Sequence, residues 1–165
     1  MIRQLFQEQL SIRDLDVGVI HDKQLVQNLV RDWHSVLDEP QGWKVAFLLS
    51  CGNTIVGVAT WGRPVARLED QTSTLENTRF ALNALAPWNS GTKGLALMRC
   101  WIREHMPEVT RLITYQDCDH HDGGIYKGDN WLRVYDAREE SASWTNRPGR
   151  IGDERKRRSK WERKP

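Results

Sequence analysis

Two titratable side chains fall where an element of the chain ends, a position from which catalytic groups can project. Asp117 follows the strand pattern of residues 111–116 and could act as a general base or orient a substrate amine, although aspartates there also commonly close turns. His34 falls near the end of an amphipathic helix pattern, beside Trp33. It could be a base or a substrate ligand at a cleft, or a histidine whose hydrogen bonds are all made within its own helix.

An arginine and a serine join this set. Arg79 interrupts an apolar strand pattern, and a charge on such a strand needs a partner, which Glu76 or Asp117 could supply. Its guanidinium could instead bind a phosphate or position Asp117. The Ser90 hydroxyl lies at the start of a helix pattern, where it could contact a cofactor or a substrate. We therefore group Arg79 and Ser90 with Asp117 and His34 as candidate catalytic residues.

A cluster of possible metal ligands follows the same strand. Carboxylates and imidazoles together would suit Zn, Fe or Mn, and the cluster consists of Asp117, Asp119, His120, His121 and Asp122. Adjacent residues rarely all bind one ion. The sequence therefore predicts no metal, with a metal site near residues 117–121 as the alternative.

A glycine-containing turn opens a helix pattern at residues 89–94. It consists of Asn89, Ser90, Gly91, Thr92, Lys93 and Gly94. The bare N–H groups and positive dipole end of a helix start can bind phosphates. The turn matches neither GxxxxGK[ST] nor GxGxxG. It indicates a phosphate site, or an ordinary helix start with Asn89 or Ser90 as the N-cap.

The order of apolar patterns predicts an α/β (α+β) fold. Strand and helix patterns alternate as β-α-β-β-β-α-β-α-β, over residues 11–20, 23–37, 43–50, 54–62, 75–85, 92–105, 111–116, 125–130 and 131–136. The second and third strands flank Cys51-Gly52-Asn53, which is typical of a hairpin. An antiparallel arm followed by β-α-β-α-β predicts a mixed sheet that is covered by helices.

Charge divides the chain into a mildly acidic body, residues 1–146, and a basic segment, residues 147–165. The basic segment has nine lysines and arginines against three acids. We predict a flexible tail that contacts nucleic-acid phosphates, or else a solvated C-terminus. The candidate phosphate-binding residues are Arg155, Lys156, Arg157 and Arg158 of the tail, together with Arg63 and Arg67 of a polar loop, which could instead be merely solvated.

The cysteines and the N-terminus bear on location. The three cysteines are odd in number and form no CxxC pair, so a disulfide framework is not expected. The first ten residues lack an apolar signal core, and no stretch reaches membrane-spanning length. The expectation is a cytoplasmic protein without a membrane partner.

Several runs of the sequence resemble a known family. Those at Leu75-Glu-Asn-Thr-Arg79, Ser90-Gly-Thr-Lys-Gly94, Leu112-Ile-Thr-Tyr-Gln-Asp117, Gly123-Gly-Ile-Tyr126 and Trp131 resemble the phage Mom-like branch of the GNAT acyltransferase superfamily. The segment Gly62-Arg-Pro-Val-Ala-Arg67 is similar to related small phage and prophage proteins. The resemblance covers roughly residues 12–136.

This resemblance implies a cofactor site and a catalytic acid. In the GNAT fold two central parallel strands part, the fourth strand binds pantetheine and the following loop binds pyrophosphate. The resemblance places acetyl-CoA, or another acyl-CoA, against Phe80, Ala81 and Leu82 and against residues 89–94. Tyr126 falls where many GNAT enzymes have a tyrosine that protonates the thiolate, and an ordinary tyrosine, with a pKa of about 10, stays protonated at neutral pH. A buried core tyrosine is the alternative.

The resemblance also implies a substrate. The Mom branch includes modification of adenine in phage DNA, which protects that DNA from restriction, so the implied partner is DNA and the implied compartment is a bacterial host's cytoplasm. Two alternatives remain open: an N-acetyltransferase for a small amine or a protein, and a GNAT-like binding protein without catalysis.

Overall fold

The computed structural model of the protein describes residues 10–34, 37–138 and 157–165. Its strands and helices follow a short 3-10 turn at Ile12–Asp14. In chain order they are β1 (Leu15–Val19), α1 (Lys23–Trp33), β2 (Val45–Cys51), β3 (Thr54–Gly62), β4 (Thr74–Leu82), α2 (Ser90–His105), β5 (Arg111–Asp117), α3 (Gly124–Gly128), β6 (Leu132–Arg138) and β7 (Arg158–Arg163). The strands form one mixed sheet in the order β1-β2-β3-β4-β5-β7-β6.

Local signals account for most of these boundaries. The Asp22 carboxylate accepts a hydrogen bond from Leu25 N and so caps α1, as its position in the sequence predicts. Gly52, with a φ of 57°, turns β2 into β3. β4 ends at Leu82 because the Asn83 side chain accepts from Leu85 N and closes a turn. None of the described helices is long and apolar enough to span a bilayer.

The central strands β4 and β5 are paired over only part of their length. They run parallel from Thr74 and Arg111 as far as Asn77 and Thr114, after which the ladder stops. A bulge in β4 lies next to this point, because Thr60 of β3 pairs with Arg79 whereas Trp61 pairs with Asn77. The Asn77 amide donates to the carbonyls of Thr60 and Arg79, both at 3.2 Å, and so fixes the bulge. The sheet is therefore open between the carboxyl ends of β4 and β5.

Two apolar layers hold the sheet on either side of this opening. Helices α2 and α3 cover one face, where the buried side chains include Trp61, Leu75 and Met98. Helix α1 covers the other face through Val26 and Val30, which pack against β2, β3 and β4. The segment that follows α1 and the start of α3 both contribute residues to the lining of the opening.

Strand β7 corrects the prediction of a flexible tail. Residues 158–163 lie between β5 and β6 and pair antiparallel with both. Trp161 is only 3% exposed and belongs to the main core. Residues 147–156, which include Arg155 and Lys156, lie outside the described residues. The segment was misread because its charge dominates its composition, although Ser159 and Trp161 alternate with charged residues as in a strand.

The charges of β7 are neutralised inside the fold. Lys160, itself buried, contacts the carboxylate of Glu69 and lies 3.0 Å from that of Glu162. Arg111 of β5 contacts the same two carboxylates. Burial alone would raise the pKa of Glu69, but its bonds to Lys160 and Arg111 lower it. These two carboxylates and two cations therefore form one network in which the positive and negative charges balance, next to the loop between β3 and β4.

Candidate active-site cleft

A cavity of about 660 Å³ occupies the opening between β4 and β5. Its volume falls in the range of small-molecule sites, about 300–1,000 Å³. Its walls come from the end of α1, the loop between β3 and β4, the parted strands, the loop after β5, α3, and the edges of β6 and β7. Each predicted catalytic residue except Ser90 lines it: His34, Arg79, Asp117 and Tyr126.

Gly123 and Gln116 build the wall in front of α3. Gly123 has a φ of 76°, and a Cβ there would lie 2.6 Å from Gln116 Oε1 and 2.8 Å from Trp161 Cζ2. Gln116 accepts from Trp161 Nε1 at 2.8 Å and donates to the carbonyl of His121 at 2.6 Å. Only glycine fits at 123, so β7 helps to set where α3 begins.

Tyr126 is held at the inner end of the cavity. Its ring packs against Trp131 and Trp161, with centroid distances of 6.0 and 5.5 Å. Burial raises the pKa of Tyr126, and its hydrogen bond with the Thr114 side chain only partly offsets this. The phenol is therefore protonated at neutral pH. The two alternatives for Tyr126 are compatible, because it is a core tyrosine that also lines the cavity.

Glu76 is a buried carboxyl in the cavity wall that sequence reasoning treated only as a possible partner of Arg79. It is 5% exposed, and its Oε2 accepts a hydrogen bond from Val65 N at 2.8 Å. Burial raises its pKa, and Glu69 adds to the effect, while Arg79 and Arg158 oppose it. A carboxyl with a raised pKa in a cleft is a candidate general base. The sequence signal was an acid within an apolar strand.

Arg79 donates its hydrogen bonds to carbonyl groups, and its charge interacts favourably with that of Glu76, one of the two partners that the sequence suggested. Its Nε donates to the carbonyl of Asp38 at 2.8 Å, and its Nη1 donates to the carbonyl of Thr78 at 2.7 Å. Burial lowers the pKa of Arg79, but a guanidinium remains charged at any physiological pH. The cavity wall therefore carries a fixed positive charge whose bonds, in the described part of the chain, are to neutral carbonyl groups.

His34 is the C-cap of α1, one residue beyond its last turn. Its Nδ1 accepts a hydrogen bond from Leu37 N at 3.1 Å. Burial lowers its pKa to about 4, with Arg79 and His121 adding to the effect. A neutral imidazole whose Nδ1 accepts has its proton on Nε2. The geometry thus favours His34 as a hydrogen-bond donor in the cavity over His34 as the general base.

We expect a pH effect on stability from His34. The unfolded chain protonates this side chain near pH 6.5 and the folded chain only near pH 4, so the free energy of unfolding falls as pH drops from 6.5 towards 4. In His34→Gln this fall is smaller, as measured by urea unfolding at several pH values. His21→Gln, at an exposed position, is the control. An equal fall in wild type and His34→Gln would contradict the assignment.

Asp117 closes a turn and lines the cavity at the same time. Its Oδ1 accepts from Asp119 N at 3.1 Å and lies 3.2 Å from His120 Nδ1. Its side chain is largely buried at the end of β5. The neighbouring acids and histidines do not converge, and the described residues contain no group of three or more His, Cys, Asp or Glu side chains that could hold a metal ion.

The turn at residues 89–94 is tightly packed. A Cβ at Gly91 would lie 2.5 Å from Ile125 Cγ2, and one at Gly94 would lie 2.5 Å from Leu49 Cδ2. Ser90 Oγ donates to the carbonyl of Pro87, and Lys93 Nζ donates to the carbonyl of Ile12 at 2.8 Å. Neither glycine tolerates a side chain, so their first role is close packing of α2.

Asn89 is the N-cap residue of this helix, at one of the two positions that the alternative of an ordinary helix start predicts. It adopts the left-handed conformation, with a φ of 70°, and its side chain makes no capping hydrogen bond. Of the predicted cofactor contacts, Phe80 lines the cavity, whereas Ala81, Leu82 and residues 89–94 lie outside its wall. Their binding of an acyl-CoA stays a prediction.

Four of the six predicted nucleic-acid contacts fall within the described residues, and all four are exposed. Arg63 and Arg67 are exposed on the loop between β3 and β4. Arg157 is exposed before β7, and Arg158 is exposed and lines the cavity. The structure thus brings Arg158 into the site, which the tail hypothesis did not foresee.

Comparison with known families decides the identity of this arrangement. The model of the Mom protein family matches residues 14–164. The chain belongs to the Mom protein family. The match extends through β7, so the C-terminal strand is part of the family domain. A search of curated proteins found no match to this Mom-family chain.

Solved structures share the fold of this Mom-family chain. The ribosomal-protein-S18-alanine N-acetyltransferase from Escherichia coli has a TM-score of 0.59 at 12% identity, covering 91% of this chain and 93% of that one. Mutant forms of the spermidine/spermine N-acetyltransferase SpeG from Vibrio cholerae have a TM-score of 0.61 at 7% identity, covering 92% of this chain and 94% of that one. The putative acetyltransferase yncA from Salmonella typhimurium, solved with its cofactor acetyl-CoA, has a TM-score of 0.61 at 8% identity, covering 92% of this chain and 94% of that one. These similarities confirm the predicted GNAT fold.

Proposed function

We propose that this Mom-family protein is an acyl-CoA-dependent acyltransferase that modifies a base in DNA. The observation that carries the proposal is the parting of β4 from β5 around a cavity that contains a buried carboxyl and a protonated phenol. Family membership and the arginines around the mouth favour a DNA acceptor. The acceptors named for the structural relatives, a ribosomal protein and polyamines, belong to those proteins.

The parted strands fit an acyl-CoA. Beyond Asn77, the edge of β4 that faces β5 makes no ladder hydrogen bonds with it, so backbone groups there can bind the amides of a pantetheine chain. A bound acyl-CoA would supply the activated thioester. The tight contact of Gly91 with Ile125 packs the start of α2 against α3, which carries Tyr126, and this packing supports a shared role for the two elements.

The chain's own residues divide the proton transfers between them. Glu76 accepts the proton of the acceptor amine, because its raised pKa brings its basicity closer to neutral pH. Arg79 and the imidazole of His34, which both line the cavity, orient the acceptor from the α1 side. Tyr126 donates a proton to the leaving thiolate from the α3 side. The base and the acid thus act from different walls of one cavity.

Two measurements test the proposed function. Mass spectrometry of nucleosides from DNA co-expressed with the protein should reveal a modified base that is absent with Glu76→Gln. Calorimetry should show binding of acetyl-CoA by the folded protein. Folded protein that binds no acyl-CoA would contradict the acyltransferase, whereas acyl-CoA binding with unmodified DNA would contradict the DNA acceptor and favour a small amine.

Tyr126→Phe is expected to separate catalysis from binding. Removing only the hydroxyl takes away the proton donor, so turnover falls by about 10- to 100-fold while the Kd for acetyl-CoA stays unchanged. Tyr115→Phe, also in the cavity wall, is the matched control, because its hydroxyl has no part in the transfer. An unchanged turnover in Tyr126→Phe would assign the tyrosine to the core alone.

A further inference from the structure

The loop between β3 and β4 exposes two apolar side chains among arginines. Leu68 is fully exposed and Val65 is 76% exposed. Arg63 and Arg67 are exposed on the same loop. Single exposed apolar residues need no explanation, but here an apolar tip is combined with two cations and borders the cavity. This combination matches the surface of a nucleic acid, which offers stacked bases between phosphates.

Hydrogen bonds support the backbone of this apolar tip, residues 65–68. Gln71 Nε2 donates to the carbonyls of Ala66 and Glu69, at 3.1 and 3.0 Å, and Glu69 N donates to the carbonyl of Ala66 at 3.1 Å. The Glu69 carboxylate is held in turn by Arg111 and Lys160. These bonds restrain the backbone next to the tip, which reduces the entropy lost when a partner is engaged.

The apolar tip borders the mouth of the cavity. Val65 and Ala66 line its wall, and Val65 N donates to the Glu76 carboxylate inside it. Tyr115 and Tyr135 offer aromatic surface within the same cavity. Whatever the tip displaces from a stacked duplex would therefore lie next to the candidate general base.

We propose that the apolar tip is a wedge that opens duplex DNA and directs one base into the cavity. A base cannot reach a buried catalytic group while it is stacked and paired, so enzymes that modify bases extrude them. Apolar side chains that enter the stack stabilise such distorted DNA. Leu68, with Val65, fills the space left in the stack, and Arg63 and Arg67 contact flanking phosphates. This inference rests on the proposed DNA substrate.

The test measures extrusion without requiring turnover. The probe is a short duplex with one 2-aminopurine in a mismatch, because its fluorescence rises when it leaves the stack and a mismatch lowers the cost of unpairing. Wild type and the control Ile55→Ala, at an exposed position in the β2–β3 hairpin, should give the same rise at saturation. In Val65→Ala/Leu68→Ala the rise should fall by about threefold or more, with the salt dependence of binding unchanged.

The outcomes separate this inference from the proposed function. A full rise in fluorescence with the double variant would overturn the wedge proposal, and so would a wild type that binds the duplex without any rise. Either result leaves the proposed base modification untouched. A wild type that binds no duplex also overturns it. Extrusion by wild type together with unmodified nucleosides supports the wedge and contradicts the proposed chemistry. Unfolding curves for each variant establish that the fold is intact.

Discussion

Glu76→Gln lowers the rate of acyl transfer by roughly 100-fold or more, because the amide cannot accept the proton of the acceptor. The substitution preserves shape and removes one buried charge next to Arg79, so we expect folded protein with unchanged affinity for acetyl-CoA. The measurement is acetyl-CoA-dependent modification of DNA over time, followed by mass spectrometry. Glu108→Gln, at an exposed position, is the control and should retain full activity.

The pH profile gives a second readout for Glu76. The base must be ionised to act, and burial raises its pKa above the ordinary 4.5. Activity should therefore decrease as pH falls through that raised value, and the residual activity of Glu76→Gln should lack this step. A wild-type profile that follows only the ordinary titration of an exposed carboxyl would contradict Glu76 as the base.

Trp161→Ala is expected to have the second large effect, a decrease in the free energy of unfolding. Truncation of a buried tryptophan costs about 3–5 kcal/mol, a large part of the 5–15 kcal/mol that stabilises a typical domain. The change also leaves Gln116 Oε1 without the indole donor that it has at 2.8 Å. The free energy of unfolding, measured in urea, should fall by that amount, and the position of α3 should be lost with it.

Trp88→Ala is the matched control for this prediction. Trp88 is 90% exposed, so its truncation should change the free energy of unfolding by less than about 0.5 kcal/mol. If residues 157–165 were a solvated tail, the two variants would behave alike. Equal stability of Trp161→Ala and Trp88→Ala would therefore contradict the placement of β7 in the sheet.

The sequence predicted those parts of the fold that depend on neighbouring residues. The hairpin turn at Gly52 and the helix predicted over residues 92–105 are encoded locally, and the structure has both, with the helix extended to Ser90–His105. Strand β7 was missed because one of the two carboxylates that neutralise Lys160 is remote: Glu69 lies 91 residues away in the chain. Net charge alone cannot show that a lysine will be buried against two carboxylates.

The candidate site was predictable to the same degree. Asp117 ends strand β5 and Tyr126 lies in the next helix along the chain, so their place near the end of β5 could be predicted, and both line the cavity. The hydrogen bond from Arg79 Nε could not be predicted, because its acceptor is the carbonyl of Asp38, 41 residues away in the chain. Glu76 was undervalued for a similar reason, since its burial comes from a loop that the sequence only marks as polar.

The sheet order has a consequence for assembly from the unfolded state. Until residues 158–163 dock, β5 and β6 each present the edge that pairs with β7 in the folded sheet. Open strand edges recruit strands from other molecules. Refolding from denaturant should therefore compete with aggregation, with a yield that falls as protein concentration rises, and a chaperone that shields bare strands should restore it.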